Sequence, residues 1–162
     1  MMKGSRIRFI MQLSANFSLK QLTASETAIA RGINNDPPPD IVENLKQLAA
    51  GLEQAQAVLG YPLDVSSAYR SPELNVAIGG AEKSQHCLGL AADFTCPGFG
   101  TPLAIASALR DSGLRFDQCI LEFDRWVHLS FSPDPRRRLL TIHNSQEGYR
   151  VGLWDTEGNK VG

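Results

Sequence analysis

The chain contains one stretch around which the rest is organised, Ser84-Gln-His-Cys-Leu-Gly-Leu-Ala-Ala-Asp93, with His86 and Asp93 seven residues apart. That spacing does not suit one face of a helix, where interacting side chains lie three or four residues apart. It suits a loop that turns at Gly89 and enters a short apolar strand, with both side chains directed at one spot. A second stretch, Glu122-Phe-Asp-Arg-Trp-Val-His128, adds another histidine. Two histidines and an aspartate with one open position are a ligand set for a catalytic zinc, a hypothesis that only geometry can test.

Four segments occur in a characteristic order along the chain: Ser67-Ala-Tyr-Arg-Ser-Pro-Glu-Leu-Asn75, Ser84-Gln-His86, Gly89-Leu-Ala-Ala-Asp93 and Trp126-Val-His128. Together they resemble the zinc D-alanyl-D-alanine carboxypeptidase family, which includes bacterial carboxypeptidases and phage endolysins that cut peptidoglycan peptides. The resemblance covers roughly residues 17–131. It implies that His86, Asp93 and His128 are the zinc ligands and that the substrate is a peptidoglycan peptide.

The order of the predicted elements indicates an α+β fold, because helices come first and the later strands are joined by a hairpin. The expected architecture is a small, mainly antiparallel sheet with helices packed against it. This is the type that the resemblance implies, shared by D-Ala-D-Ala carboxypeptidases and the Hedgehog N-terminal domain.

Hydrophobic periodicity, capping residues and turn residues predict where the elements lie. The expected helices span 18–31 with a break near 23–25, 39–59, 72–78 and 101–112, with Gly32, Gly60 and Gly113 at three of their ends. The expected strands span 63–67, 90–96, 118–123, 126–131 and 149–154. The basic run at residues 136–138 is interpreted as a solvated face rather than a binding patch.

Composition restricts the possible functions. The 162 residues suit one domain, and the formal net charge of −1 gives no argument for a nucleic-acid or membrane partner. We expect an extension at residues 1–16, a single peptidase-like domain at 17–162 and a monomer. Three cysteines, Cys87, Cys96 and Cys119, are an odd number without CxxC spacing, which argues against a disulfide framework. Cys87 adjoins His86, so a thiolate ligand is considered, although packing as a small hydrophobic side chain is favoured.

The first residues are basic, with Lys3, Arg6 and Arg8, but the apolar run after them is too short for a signal peptide. No stretch has the length of a membrane span. Met11 is an alternative start of the chain. The expectation is synthesis in the cytoplasm and action at the cell wall after release, as for a phage or prophage enzyme.

The general base is less well defined than the metal ligands. Glu122 is the first candidate, because a three-residue hairpin loop at 124–126 would place it opposite His128 on the same face of the sheet. A two-residue turn would direct it away. Asp124 is the competitor. Many relatives carry the base three residues before the last histidine, and Arg125 occupies that position here.

Other residues in these stretches have expected supporting roles. The planar fork of Arg70 suits a peptide carboxylate or a developing oxyanion, and Ser84 is a candidate for binding a substrate carboxylate. Trp126 is expected to pack in the hairpin or to floor the cleft. A different class of function stays open, a non-catalytic module of the same fold that binds cell-wall peptide or structural zinc, and Arg125 is the feature that favours it.

Overall fold

The computed structural model describes residues 11–162, and the predictions about residues 1–10 lie outside them. Its helices are α1 Leu19–Thr23, α2 Glu26–Arg31, α3 Pro39–Leu59, α4 Pro72–Ala77 and α5 Pro102–Asp111, with a short 3₁₀ helix at Gln85–Leu88. Its strands are β1 Asp64–Ser67, β2 Ala91–Thr95, β3 Gln118–Glu122, β4 Trp126–Ser130, β5 Arg138–Ile142 and β6 Tyr149–Val151. The predicted α+β fold class is confirmed.

The helices begin and end where the sequence places capping residues. The side chains of the N-cap residues accept hydrogen bonds from backbone N–H groups of the first turn in four helices, at Ser18, Ser25, Ser71 and Thr101. Gly32 and Gly60 end α2 and α3 in the left-handed conformation. Helix α5 ends at Asp111 rather than beside Gly113, because the extended Ser112 closes it and its hydroxyl donates to the Leu109 carbonyl.

The strands form one sheet in the order β1-β2-β4-β3-β5-β6. Every neighbouring pair is antiparallel except β3 and β5, which are parallel, so the sheet is mixed although mostly antiparallel. Strand β5 was not predicted. Its first residue, Arg138, belongs to the basic run that the sequence analysis assigned to a solvated face, and no tight turn joins it to its parallel partner.

The two faces of the sheet have different environments. Phe94, Cys119, Leu121, Val127 and Leu129 are fully buried on one face, in the core formed with α3 and α5. Because side chains alternate along a strand, the neighbouring positions point to the opposite face. That face carries the functional candidates on its central strands and borders an open cleft.

Residues just before the predicted domain start contact helix α3. The hydroxyl of Ser14 and the backbone N–H of Asn16 both donate to the Glu53 carboxylate on α3. The boundary at residue 17 stays a prediction. Among residues 11–162, no helix is long and apolar enough to span a membrane.

Candidate metal centre and cleft

The turn that carries His86 is fixed by its sequence. Ser84 caps it, with its hydroxyl accepting from the His86 backbone N–H at 3.2 Å. Gly89 ends it in the left-handed conformation at φ +68°, where a Cβ would come within 2.9 Å of Ile41 on α3. The predicted loop is therefore a single 3₁₀ turn, and glycine is required where the chain enters β2.

Asp93 and His128 come from neighbouring strands. They are directly paired residues of β2 and β4, so their side chains leave the same face side by side. The 3₁₀ turn brings His86 over this pair. All three residues are buried, with exposed fractions of 2% for His86, 5% for Asp93 and 7% for His128.

Three donor atoms of these residues converge. The Asp93 Oδ1 lies 3.1 Å from His86 Nε2 and 3.0 Å from His128 Nδ1, and the two ring nitrogens are 3.2 Å apart. Ligands of a tetrahedral zinc with bonds of about 2.0–2.1 Å lie about 3.3 Å from one another. The observed separations fit that value, and the three side chains can hold a metal ion.

Hydrogen bonding and burial favour the protonation states that a metal requires. His86 Nδ1–H donates a hydrogen bond to the Ala68 carbonyl at 2.6 Å. The other ring nitrogen, Nε2, keeps its lone pair available for a metal ion. Burial lowers the pKa of His86. Burial alone would raise the pKa of Asp93, but its two histidine neighbours, His128 before His86, outweigh burial and hold that pKa below its usual range. A neutral imidazole and an ionised carboxylate are the forms that bind metal.

Cys87 does not belong to the converging set. Among residues 11–162, the group of side chains that could hold an ion consists of His86, Asp93 and His128. Cys87 is half-buried, and burial raises the pKa of its thiol, which opposes the thiolate form. The three cysteines are free.

Glu122 lies on the metal-facing side of the sheet, by a register that differs from the prediction. The hairpin loop has three residues, Phe123 to Arg125, so Glu122 pairs with Trp126, while His128 pairs with Ile120. The expected direct pairing of Glu122 with His128 is therefore wrong. Glu122 and His128 still lie on the same face of the sheet, because Trp126, the partner of Glu122, is two residues from His128 along β4.

The Glu122 carboxylate is close to the candidate ligands and held in place. Its Oε1 lies 3.8 Å from His128 Nδ1, and its Oε2 accepts from the Trp126 indole N–H at 2.8 Å. Burial, followed by the negative charge of Asp93, raises the pKa of Glu122. The hydrogen bond from Trp126 to Glu122 was not predicted from the sequence. The direct pairing of Trp126 with Glu122 would have indicated the contact once the loop length was known.

Asp124 is occupied elsewhere. It lies in the hairpin loop at φ +56°, and its carboxylate is 3.0 Å from His143 Nδ1. It is not among the residues that line the cleft beside the ligands. The geometry therefore favours Glu122 over Asp124 as the carboxylate near the metal centre.

Arg70 is held beside the metal centre by three partners. Its Nε donates to Ser67 Oγ at 3.2 Å, its Nη1 to Asn75 Oδ1 at 3.0 Å, and its Nη2 to Asp93 Oδ2 at 3.4 Å. A Cβ at Gly80 would overlap the Asn75 amide oxygen and come within 2.8 Å of Arg70 Nη1. The Tyr-Arg-Ser segment thus contributes a fixed guanidinium, and Asn75 and Gly80 leave room for it.

The open face forms a cleft of about 820 Å³. Five of the predicted site residues line it together, as expected for a common site: Arg70, Ser84, His86, Glu122 and His128. Asp93 is buried and is not a lining residue. Ser84 therefore borders the cleft, although its hydroxyl also caps the turn of His86.

An ion pair between a buried carboxylate and an arginine of the cleft lining lies beside the cleft. The carboxylate of Asp117, 2% exposed, accepts from Arg136 Nε at 2.9 Å and Nη2 at 2.8 Å, and from Gln85 Nε2 at 2.9 Å. Hydrogen bonds from Arg136 lower the pKa of Asp117 to about 2. Asp117 therefore links Gln85, the residue before His86, to Arg136, which precedes β5.

Asp117→Asn is expected to lower the free energy of unfolding near neutral pH by about 1–2 kcal/mol, an allowance that includes solvent screening of the half-exposed Arg136. An Asp with a lowered pKa stabilises the fold above its unfolded value of about 3.9 and loses that contribution as the pH falls through about 2. Urea unfolding should give a constant difference between wild type and variant from about pH 7 to 5, and roughly half of it at about pH 3. A difference at about pH 3 as large as that at about pH 7 would contradict the assignment.

Comparison with known proteins agrees with this geometry. A family model described as Peptidase M15 matches residues 15–130, which includes every residue of the converging set. The chain belongs to this family, the zinc D-Ala-D-Ala carboxypeptidase family. Membership supports a metallopeptidase with a peptide substrate, and M15 peptidases depend on zinc. No curated protein matches the chain.

Proposed function

We propose that the protein is a zinc peptidase that hydrolyses peptidoglycan stem or cross-link peptides, as a D-Ala-D-Ala carboxypeptidase or an endolysin-type endopeptidase. The observation that carries the proposal is the convergence of His86, Asp93 and His128 at the floor of an open cleft, beside a held carboxylate. We include in the proposal that the protein acts as a monomer at the cell wall after release.

In this proposal His86, Asp93 and His128 hold the zinc. When bound there, zinc would polarise the scissile carbonyl and bring the pKa of a coordinated water near 7. Glu122 accepts the proton of the attacking water, a step that needs a carboxylate within reach of the ligand cluster. Trp126 orients that carboxylate, because its indole N–H occupies one oxygen and leaves the other towards His128.

Arg70 and Ser84 bind the peptide. The guanidinium lines the cleft and is fixed by Ser67 and Asn75, so it meets a carboxylate or a developing oxyanion without losing side-chain freedom. Arg70 also donates to Asp93 Oδ2, the carboxylate oxygen outside the converging set, and so orients Asp93 as a metal ligand.

The proposal is tested by digesting purified peptidoglycan with and without a chelator and identifying the released peptides by mass. We expect cleavage that the chelator abolishes and added zinc restores, and the masses identify the bond. A protein that binds cell-wall peptide and zinc but releases no peptide would instead be the non-catalytic module.

Arg70→Ala is expected to reduce turnover by tens to hundreds of fold, since a hydrogen bond to a charged group contributes about 1.5–3 kcal/mol. Arg70→Lys should recover only part of the loss, because the planar fork is absent. Steady-state kinetics on a peptidoglycan peptide, with zinc content measured in parallel, provides the test. Arg115→Ala is the matched control, because Arg115 is exposed and does not line the cleft. Normal cleavage by Arg70→Ala would remove the clamp from the mechanism.

A further inference from the structure

The cleft continues beyond the metal centre across strands β3, β5 and β6. In the sheet register, His128 is paired with Ile120, Ile120 with Leu140, and Leu140 with Val151. All four line the cleft. Strands β5 and β6 follow residue 130, where the family match ends. They therefore extend the metal-facing surface with residues that lie outside the part of the chain matched by the family.

Two parallel rows flank this central row, and they differ in charge. Glu122, Ile142 and Tyr149 form the row on one side. On the other side Gln118 is paired with Arg138, and Arg136 lies two residues before Arg138. Each row is two residues from the next along its strand. Glu122, the candidate base, and the basic residues of β5 therefore lie on opposite sides of the central row that begins at His128.

The basic side carries positive charge that the fold does not neutralise. Arg136 is paired with the buried Asp117. Within residues 11–162, no ion pair involves Lys83 or Arg138, and both side chains line the cleft. Arg138 is exposed at the start of β5, and Lys83 lies two residues before Gln85, whose amide donates to Asp117.

We propose that Lys83 and Arg138, supported by Arg136, form a subsite for a second carboxylate of the substrate. Peptides carry their negative charges as carboxylates, and an uncompensated cationic surface in a cleft attracts them. This subsite rests on the proposed peptidase function and is distinct from Arg70, which lies at the metal centre itself.

The sheet geometry sets the distance of this subsite from the reacting bond. Arg138 is two strands and two residues from His128, about 12 Å between Cα positions. An extended peptide covers about 3.3–3.6 Å per residue, so the recognised carboxylate lies about three residues from the scissile bond. In a stem peptide cut at its terminal D-Ala-D-Ala bond, the D-glutamate is the third residue before that bond, and its α-carboxylate is free.

The test compares two ligands that differ in one group. They are the pentapeptide L-Ala-γ-D-Glu-L-Lys-D-Ala-D-Ala with its last peptide bond reduced to an uncleavable CH₂–NH linkage, and the same compound with the D-glutamate α-carboxylate as a carboxamide. Calorimetry on the zinc-loaded protein at low salt should give about fivefold tighter binding of the acid, since exposed ion pairs contribute modestly. The preference should fall as salt is raised.

The variants assign the preference to residues. In the double variant Lys83→Gln, Arg138→Gln the ratio of the two dissociation constants should approach one, whereas Arg115→Gln should keep it. A ratio near one in the wild type, an unchanged ratio in the double variant, or no binding of either ligand would overturn the subsite. Hydrolysis of the unmodified pentapeptide is measured separately. A protein with the binding preference but no cleavage of the pentapeptide would refute the D-Ala-D-Ala carboxypeptidase form of the proposed function and keep the subsite, and equal binding with normal cleavage would refute the subsite alone.

Discussion

Glu122→Gln is expected to lower turnover by about 10²–10⁴-fold while the protein keeps its zinc. Glutamine preserves the shape of the side chain and can still meet the Trp126 indole N–H, but it cannot accept the proton of the attacking water. The 3.8 Å separation of Glu122 Oε1 from His128 Nδ1 places the carboxylate beside the ligand cluster without making it part of the converging set. Single-turnover cleavage rates and zinc content of the same preparation give the measurement.

The matched control is Asp124→Asn, an acid-to-amide change in the same hairpin. Because Asp124 contacts His143 and lies outside the cleft, this variant should lose little activity. A collapse of activity in Asp124→Asn with normal turnover in Glu122→Gln would reverse the assignment. If both variants lost zinc along with activity, the substitutions would have damaged the hairpin, and neither carboxylate would have been tested as the base.

The double variant His86→Ala, His128→Ala is expected to lose its bound zinc and all zinc-dependent hydrolysis. Two of the three converging donors disappear, and one carboxylate does not retain the ion at micromolar protein concentration. Metal analysis after gel filtration measures the zinc directly. His143→Ala is the control, because this third histidine contacts Asp124 instead of the cluster and should keep one zinc per chain.

Undiminished zinc in the double variant would show that the metal binds elsewhere in the chain. Thermal unfolding of the zinc-free proteins should accompany the metal analysis, since both histidines are buried and their replacement leaves cavities. A folded double variant without zinc is the expected result.

Local patterns in the sequence were sufficient for much of the fold. The period of the apolar residues predicted α3 at its observed bounds, and Ser18 and Gly32 predicted the start of α1 and the end of α2. The spacing from His86 through Gly89 to Asp93 predicted a turn followed by a strand, and the structure brings those two residues to His128. Each of these features depends on residues close in the chain.

Features that depend on long-range pairing were not predictable in the same way. Strand β5 pairs in parallel with β3, and the run of arginines at its start has partners distant in the chain, such as Asp117 just before β3. The hairpin loop lies one residue earlier than expected, because Phe123 and Asp124 adopt positive φ and close the turn directly after Glu122. The contact of Trp126 with Glu122 required that register before it could be inferred.

The most direct test of the central claim is a crystal grown with zinc and measured on both sides of the zinc absorption edge. The account predicts one anomalous peak bound by His86 Nε2, Asp93 Oδ1 and His128 Nδ1, with bonds of about 2.0–2.2 Å and a fourth position open to the cleft. A peak at any other place, or a fourth protein ligand that closes the site, would contradict a catalytic zinc at this centre.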